Sequence, residues 1–384
     1  MRAVWNIHWA TLFFFLAYGL TVPALPLYLK AQGIGPAWVG WVVALMPLAG
    51  LMLRPFGGWA ADSWSRKKPG LIGLGLGGAA GLFYLGPLPL VLIGRFLQGA
   101  AMALFAPSSL ALTSDLVSED AIGRVMGTRN LLLGIGVMSG TALGGLVVDY
   151  LGFKAVWVLV LLVQLFWLPV YWRGVPETLS RPLSRPWWVN FGSALGNRLI
   201  LSPTLANTGF AAIFAILQTF YPLLLTDAGY RAAWVGAFLA FYSLTSVVFR
   251  IPGGYFSDRF EAGLVALAGF GSTTLGLFLL WLNPLPPSAF VAGFFMGAGA
   301  GFYLPANIVA VTRAARPELR GSAFSLFTAS WDLGGLVGPP LGSVVAARVG
   351  LEAIFPIIAV AGALTTAFYA LMIKSAGVLR SSSD

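Results

Sequence analysis

Two ionisable side chains lie deep inside apolar stretches of the sequence, where a charge is costly. The first, Asp332, lies twelve residues beyond Arg320, where one apolar stretch begins. In a helix this distance is about 18 Å, close to the middle of a bilayer core about 30 Å thick. Because ionisation is unfavourable there, a carboxyl group that gains and loses a proton as its surroundings become wet could carry protons. The alternative is a carboxylate held by neighbours such as Trp331, or by an arginine, for structural reasons.

Arg95 is the second such residue, about 10 Å inside another apolar stretch. A buried cation is expensive unless it meets water or a carboxylate, so a functional role is expected. The alternative is a structural arginine that extends to the membrane surface. Arg54 and Arg250 also lie within apolar stretches. We expect this pair to support a gate near the end of the helices, or else to bind an anion.

Several other chemistries are excluded by residues that the sequence lacks. The chain contains no cysteine, which rules out disulfides, thiolate metal sites and cysteine nucleophiles. Its single histidine, His8, stands at the start of an apolar stretch, where an interfacial residue is expected. Neither clustered histidines nor paired carboxylates suggest a metal site. We therefore predict no enzyme activity, no metal and no cofactor.

The composition is that of a membrane protein. Hydrophobic residues make up 58% of the 384 residues and charged residues only 9%, whereas a soluble globular domain has about 25% charged residues. Twelve apolar stretches follow one another nearly end to end, and each approaches the roughly 20 residues that a helix needs to cross a bilayer. These stretches lack the period of two that is typical of barrel strands. We predict an all-α membrane protein with twelve transmembrane helices.

The chain contains an internal duplication. The segment 38–62 recurs at 234–258, an offset of 196 positions, and a later set of glycines and a proline recurs at an offset of 198. The duplication predicts two pseudo-symmetric six-helix bundles, residues 1–172 and 199–384, joined by a cytoplasmic linker at 173–198. Duplicated halves of this kind are typical of secondary transporters, in which two similar bundles move about a central site.

The distribution of positive charge predicts the orientation in the membrane. The net charge is +10, and if both termini are cytoplasmic, sixteen of the 23 lysines and arginines fall in the inner connections, Arg124 and Arg129 among them. The outer connections contain only four, which are Lys30, Lys154, Arg231 and Arg348. This bias follows the positive-inside rule. We predict a multi-pass protein of a bacterial-type inner membrane with both termini in the cytoplasm.

The loop between the second and third apolar stretches carries a recognisable motif. The string GGWAADSWSRKKP, Gly57 to Pro69, resembles the signature loop of the major facilitator superfamily. Gly58, Asp62 and Arg66 stand at its glycine, aspartate and arginine positions, and the resemblance extends over nearly the whole chain. It implies the major facilitator fold and a transport function.

The resemblance also implies a latch at the inner face. An aspartate at a helix end accepts hydrogen bonds from a nearby arginine or from the free amides that begin a facing helix. In the family this aspartate is implied to hold the inner side shut against helix 11. Asp115 and Arg124 resemble its charged partners. Gly254 and Asp258 retain the motif in its degenerate copy, GGYFSDRF.

Two further segments resemble the family. The segment 92–107 resembles its helix 4, and the arginine that matches Arg95 is implied in proton transfer in proton-coupled members. The segment 134–145 resembles the glycine-rich motif of antiporters, although Thr141 replaces the usual proline, which appears instead in the copy at Pro339. We predict that paired glycines on helices 5 and 11 line the seam between the halves. They are Gly136, Gly140, Gly144, Gly334, Gly338 and Gly342.

The resemblance implies a central cavity lined by helices 1, 4, 7 and 10. The candidate residues there are mostly aromatic with few amides, which suits amphipathic ligands. They are Tyr18, Tyr28, Gln98, Phe105, Asn207, Gln218, Tyr221, Tyr303 and Asn307.

We expect a monomeric, proton-coupled exporter of small amphipathic compounds, of the multidrug type, that works by alternating access. Its partners would be a small-molecule substrate, protons and membrane lipid, without nucleic acid. A sugar exporter is the first alternative, because arabinose-type exporters share these loops. An anion or solute uniporter, or an uptake carrier, is the second, and it would depend on Arg54 and Arg250.

Overall fold

The protein is all-helical in the residues that the computed structural model describes, which are 2–118, 121–179, 198–314 and 320–375. This confirms the predicted fold class. The first half contains α1 (Arg2–Ala31), α2 (Pro36–Ser63), α3 (Lys68–Phe83), α4 (Leu88–Asp115), α5 (Ile122–Leu151) and α6 (Phe153–Gly174). The second half contains α7 (Arg198–Asp227), α8 (Ala232–Arg259), α9 (Ala262–Leu282), α10 (Ser288–Ala314), α11 (Arg320–Arg348) and α12 (Ile354–Ser375).

Length and composition make these helices suitable for a bilayer. Among the described residues, ten helices are long and apolar enough to cross a membrane. Helix α3 has only 16 residues, fewer than the roughly 20 that a straight span needs. Residues 180–197, most of the predicted linker, lie outside the described residues, and the predicted domain boundaries stay a prediction.

Proline and glycine fix where several helices begin and end. Pro36 is the first residue of α2, where its missing N–H costs nothing. Gly152 separates α5 from α6 with a φ of 80°, a conformation that glycine adopts without strain. Gly33, in the turn after α1, has a φ of 79°. These short turns make consecutive helices antiparallel.

The chain divides into two compact units. Unit 1 comprises Met1–Arg185 and Leu225–Ala240, and unit 2 comprises Pro186–Leu224 and Phe241–Asp384. In unit 1, α1 packs along α5 and α6, while α4 packs on α2 and α3. In unit 2, α9 packs along α10 and α12.

The structure corrects the predicted role of the paired glycine rows. A Cβ on Gly144 of α5 would come 2.7 Å from the carbonyl oxygen of Leu20 in α1, and one on Gly334 of α11 would come 2.6 Å from that of Thr208 in α7. Each row therefore packs its helix against a neighbour of the same half and does not line the seam. Small residues allow close approach to any neighbouring helix, so the spacing alone does not identify the partner. The other members of the rows, which make similar contacts, are Gly136, Gly140, Gly338 and Gly342.

Candidate functional site

The signature loop is held by an arginine that contacts two carboxylates. Arg66 follows the end of α2, and its Nη1 donates to Oδ1 of Asp62. Its Nε lies 3.1 Å from Oδ2 of Asp115, at the end of α4. The side chain of Arg66 is only 18% exposed, so both bonds are partly shielded from water. Asp115 thus joins Asp62 through their shared contact with Arg66.

Glu177, which the sequence analysis did not single out, completes this cluster. It lies just after α6, and its carboxylate accepts hydrogen bonds from Oγ of Ser65, from the amide of Arg66 at 2.9 Å and from that of Leu179 at 3.0 Å. Burial raises the pKa of Glu177, but these hydrogen bonds outweigh it and hold the pKa below its ordinary value. We call Asp62, Arg66, Asp115 and Glu177 the inner-loop network.

The neighbouring residue ties the same loop to α4. Thr178 donates its hydroxyl to Oδ2 of Asp115 at 2.6 Å. An acidic residue directly after the sixth apolar stretch was the only sequence signal for this arrangement. Its distant partners include the amide of Arg66, 111 positions away, which no side-chain pattern reveals.

Other residues of the predicted latch are not brought into this network. The side chain of Arg124 is exposed at the start of α5, and Asp258 is exposed near the end of α8. A Cβ on Gly58 or Gly254 would meet no described atom within 4 Å. The predicted contact of Asp62 with the start of helix 11 stays a prediction, because the structure does not describe the side chains of residues 320–325.

Arg95 lies in a polar cluster of neutral groups. It is 7% exposed, its Nη1 donates to Oε1 of Gln98 at 2.7 Å, and its Nε donates to the carbonyl of Val43 at 3.2 Å. The same Oε1 accepts from the hydroxyl of Tyr84 at 2.8 Å, and Nε2 of Gln98 donates to Thr21 at 3.0 Å. The cluster links α1, α2 and α4 around one guanidinium group.

A pocket inside unit 1 adjoins this cluster. Its wall includes Phe14, Tyr18, Gln98 and Met102, together with Gln164 of α6. Oε1 of Gln164 is buried and has no hydrogen-bond partner in the described part of the chain. The pocket therefore combines apolar walls with two amides, and Gln164 is a lining residue that the sequence analysis missed.

Other predicted cavity residues of unit 1 have different surroundings. Phe105 is fully buried and stacks on Phe14 with ring centroids 4.2 Å apart, so it belongs to the core of the bundle. Tyr28 is half-buried and packs edge-on against Trp157. These positions place both rings against neighbouring side chains of the same unit.

In unit 2, most of the predicted cavity residues are buried. Tyr303 stacks on Phe270, with centroids 4.6 Å apart. Nδ2 of Asn207 donates to Ser330 at 2.6 Å, and Asn307 accepts a bond from Tyr369 at 3.2 Å. The remaining predicted residues are Tyr221, whose hydroxyl donates to the carbonyl of Pro284, and Gln218, which is half-buried.

The predicted proton carrier lies within a helix. Asp332 is twelve residues from the first residue of α11 and is partly buried. Its position along the helix agrees with the sequence prediction, and its role stays a prediction.

Two basic residues near the start of their helices differ from expectation. Arg129, counted among the loop cations, is buried in α5 at 5% exposure, and its Nη2 donates to Oγ of Ser109 at 2.6 Å. His8, expected at the membrane surface, is buried in α1 at 2% exposure. Helix α1 begins at Arg2 rather than near His8, and Arg129 lies within α5, which begins at Ile122.

Comparisons with known proteins agree with this architecture. The family model for the Major Facilitator Superfamily matches residues 7–250 and 205–382. An uncharacterized MFS-type transporter, YhhS of Escherichia coli strain K12, is 27% identical over 364 residues, which cover 89% of this chain and 85% of that one. The multidrug resistance protein MdtG of Yersinia enterocolitica is 26% identical over 360 residues, covering 90% of this chain and 86% of that one.

Solved structures are similar in fold. The nucleoside transporter NupG (D323A mutant) superposes with a TM-score of 0.81, at 14% identity, over 96% of this chain and 99% of that one. A bacterial homologue of the human lysosomal transporter Spinster, in an inward-facing and unoccupied conformation, superposes with a TM-score of 0.80. The sequence identity is 14%, and the match covers 97% of this chain and 96% of that one. The chain belongs to the major facilitator superfamily, whose members are membrane transporters and not enzymes.

Proposed function

We propose that this protein is a proton-coupled secondary transporter that exports small amphipathic compounds by alternating access. The observation that carries the proposal is Asp332, a carboxyl group that lies twelve residues into α11. A residue of this type within a span is expensive to keep unless it serves transport. Moving one charge through the membrane potential supplies about 2.3 kcal/mol per 100 mV, enough to bias the transport cycle.

The substrate class is inferred from the lining residues. The predicted cavity residues are mostly aromatic with few amides, a combination that suits amphipathic molecules. The pocket beside Gln98 and Gln164 is itself only large enough for about one water molecule. The relative named for multidrug resistance supports the same class. We further propose that the protein works as a monomer in a bacterial inner membrane, with both termini in the cytoplasm.

The test uses purified protein in liposomes with an imposed pH gradient and a fluorescent lipophilic cation as the probe. We expect Asp332→Asn to lose gradient-driven transport by about tenfold or more, because the neutral amide cannot exchange a proton. Glu352→Gln, an exposed acid in the turn before α12, is the matched control and should transport like the parent. Full gradient-driven transport by Asp332→Asn would refute proton coupling through this residue.

An anion carrier is the second candidate function, and Arg250 favours it. Its Nε is buried without a hydrogen-bond partner among the described residues, and its charge lies near the hydroxyls of Tyr242 and Tyr303. With benzoate as the probe, uptake that persists in Asp332→Asn and disappears in Arg250→Gln would support this candidate over export. Probing with a pentose in the same vesicles tests the sugar alternative.

A further inference from the structure

Helix α8 begins without a capping side chain of its own. The residue before it, Arg231, has donors only and cannot accept a hydrogen bond from the first free amides. Asp149, at the end of α5, supplies the acceptors instead. Its Oδ1 accepts from the amide of Ala232 at 3.0 Å, and its Oδ2 accepts from that of Ala233 at 2.8 Å.

The setting of Asp149 makes this contact strong. The side chain of Asp149 is 12% exposed, and it binds two amides at the positive end of the helix dipole. Arg231 adds less, because its Nε is 3.5 Å from Oδ2 and its side chain is 57% exposed. Its guanidinium lies 4.8 Å from the ring centroid of Tyr150, which keeps it beside the carboxylate.

The backbones of α5 and α8 approach closely beside this contact. A Cβ on Gly236 would come 2.6 Å from the carbonyl oxygen of Thr141. A Cβ on Gly145 would overlap the carbonyl of Ala232. These glycines let the two helices meet closely enough for Asp149 to reach the amides.

An ion pair joins two other helix ends in unit 1. Nζ of Lys30, near the end of α1, lies 2.6 Å from Oδ1 of Asp227 at the end of α7 and donates to Thr226 at 2.9 Å. The side chains of Lys30 and Asp227 are 36% and 55% exposed. Such a pair contributes little on its own, so Asp149 dominates.

We propose that Asp149, bound to the amides of Ala232 and Ala233, and the Lys30–Asp227 pair form an outer latch that must release before the transporter opens to the outside. Both contacts join a helix of the first half of the duplication to a helix of the second. They lie at the face that the charge distribution predicts to be outer. The proposal rests on the alternating access of the proposed function and is independent of the substrate and of proton coupling.

The absence of native cysteines allows a direct test in the full-length protein. Spin labels are attached to Ala31→Cys and Ala228→Cys, two exposed positions flanking the ion pair. Their distance distribution is then measured by pulsed electron resonance in lipid nanodiscs. We expect Asp149→Asn to raise the ratio of long to short distances about fivefold, because a neutral amide loses the attraction to the helix dipole.

The control is Glu352→Gln, which removes one negative charge from an exposed site on the predicted outer face. It should leave the distribution unchanged. An unchanged distribution in Asp149→Asn, or the same shift in both variants, would overturn the latch. Should Asp149→Asn fold poorly, Lys30→Gln provides the second variant. We expect it to shift the ratio of long to short distances about twofold. An unchanged ratio in Lys30→Gln would also count against the proposal. If the distances shift as expected but the protein shows no gradient-driven transport, the proposed function is refuted and the latch is not.

Discussion

The inner-loop network and the outer latch both use carboxylates to satisfy backbone amides, but they differ in what they connect. In the inner-loop network, Glu177 binds the amides of a turn, and its partners all lie between residues 62 and 179. In the outer latch, Asp149 binds the first amides of α8 and so joins the two halves of the duplication. Under the proposed alternating access, the first arrangement would persist while the halves move, whereas the second would have to break.

This difference separates structural capping from gating within one chain. A carboxylate whose partners move together with it adds stability to every state. One whose partners move away stabilises a single state and thereby shifts a population. Substitutions in the two regions should therefore affect different measurements.

The largest effect is expected from Glu177→Ala, which removes the acceptor for Ser65 and for the amides of Arg66 and Leu179. We expect a loss of about 2 kcal/mol, or about 4 °C in the thermal midpoint, measured by tryptophan fluorescence in detergent. The distance between labels at the outer latch should not change. A normal midpoint with altered distances would contradict the assignment of Glu177 to structural capping.

Gly236→Ala should have the second largest effect on stability. The added Cβ would meet the carbonyl of Thr141, and overpacking of this kind costs about 1–2 kcal/mol. Gly254→Ala, in the same helix, is the matched control because its Cβ would meet no described atom within 4 Å. Pulsed electron resonance should show opening at the outer latch in the first variant only, and equal behaviour of both would argue against close approach.

Acid should weaken the inner-loop network selectively. Because the folded pKa of Glu177 lies below its ordinary value, its stabilising contribution is present above the unfolded pKa and is lost as the pH falls through the folded one. The difference in thermal midpoint between the parent and Glu177→Gln should be constant from pH 7 to about pH 5 and shrink below about pH 4.5. A constant difference down to pH 3 would contradict this assignment.

Lys30→Gln should have the smallest effect. Its ion pair with Asp227 is exposed on both sides, so we expect a loss of about 0.5 kcal/mol or less that disappears in 1 M salt. Thermal midpoints at low and high salt would measure it. A loss larger than that of Gly236→Ala would reverse the proposed ranking within the latch.

The sequence predicted the features that depend on composition and local spacing. Long apolar stretches account for the helices, and the signature motif predicted the hydrogen bond from Arg66 to Asp62. Arg95 was correctly placed inside a helix, where neutral partners surround it. These features could be predicted because hydrophobic length and a family motif are both written in consecutive residues.

Contacts between distant backbone groups could not be predicted in the same way. Asp149 and Glu177 find their partners among amides, which every residue carries, so no side-chain pattern marks the site. The glycine rows of α5 and α11 indicated close packing but not the neighbour that they face. Arg129 was wrongly counted among the loop cations, because a cation near the end of a helix can lie either in the loop or inside the bundle.

The borrowed cap of α8 also bears on the biosynthesis of the chain. Helix α5 is made before α8, and the acceptors for the first amides of α8 come from α5. Because chains fold from the N-terminus during synthesis, the earlier bundle would already present Asp149 when α8 leaves the insertion machinery. The first half would thus act as a template on which the second half completes its assembly.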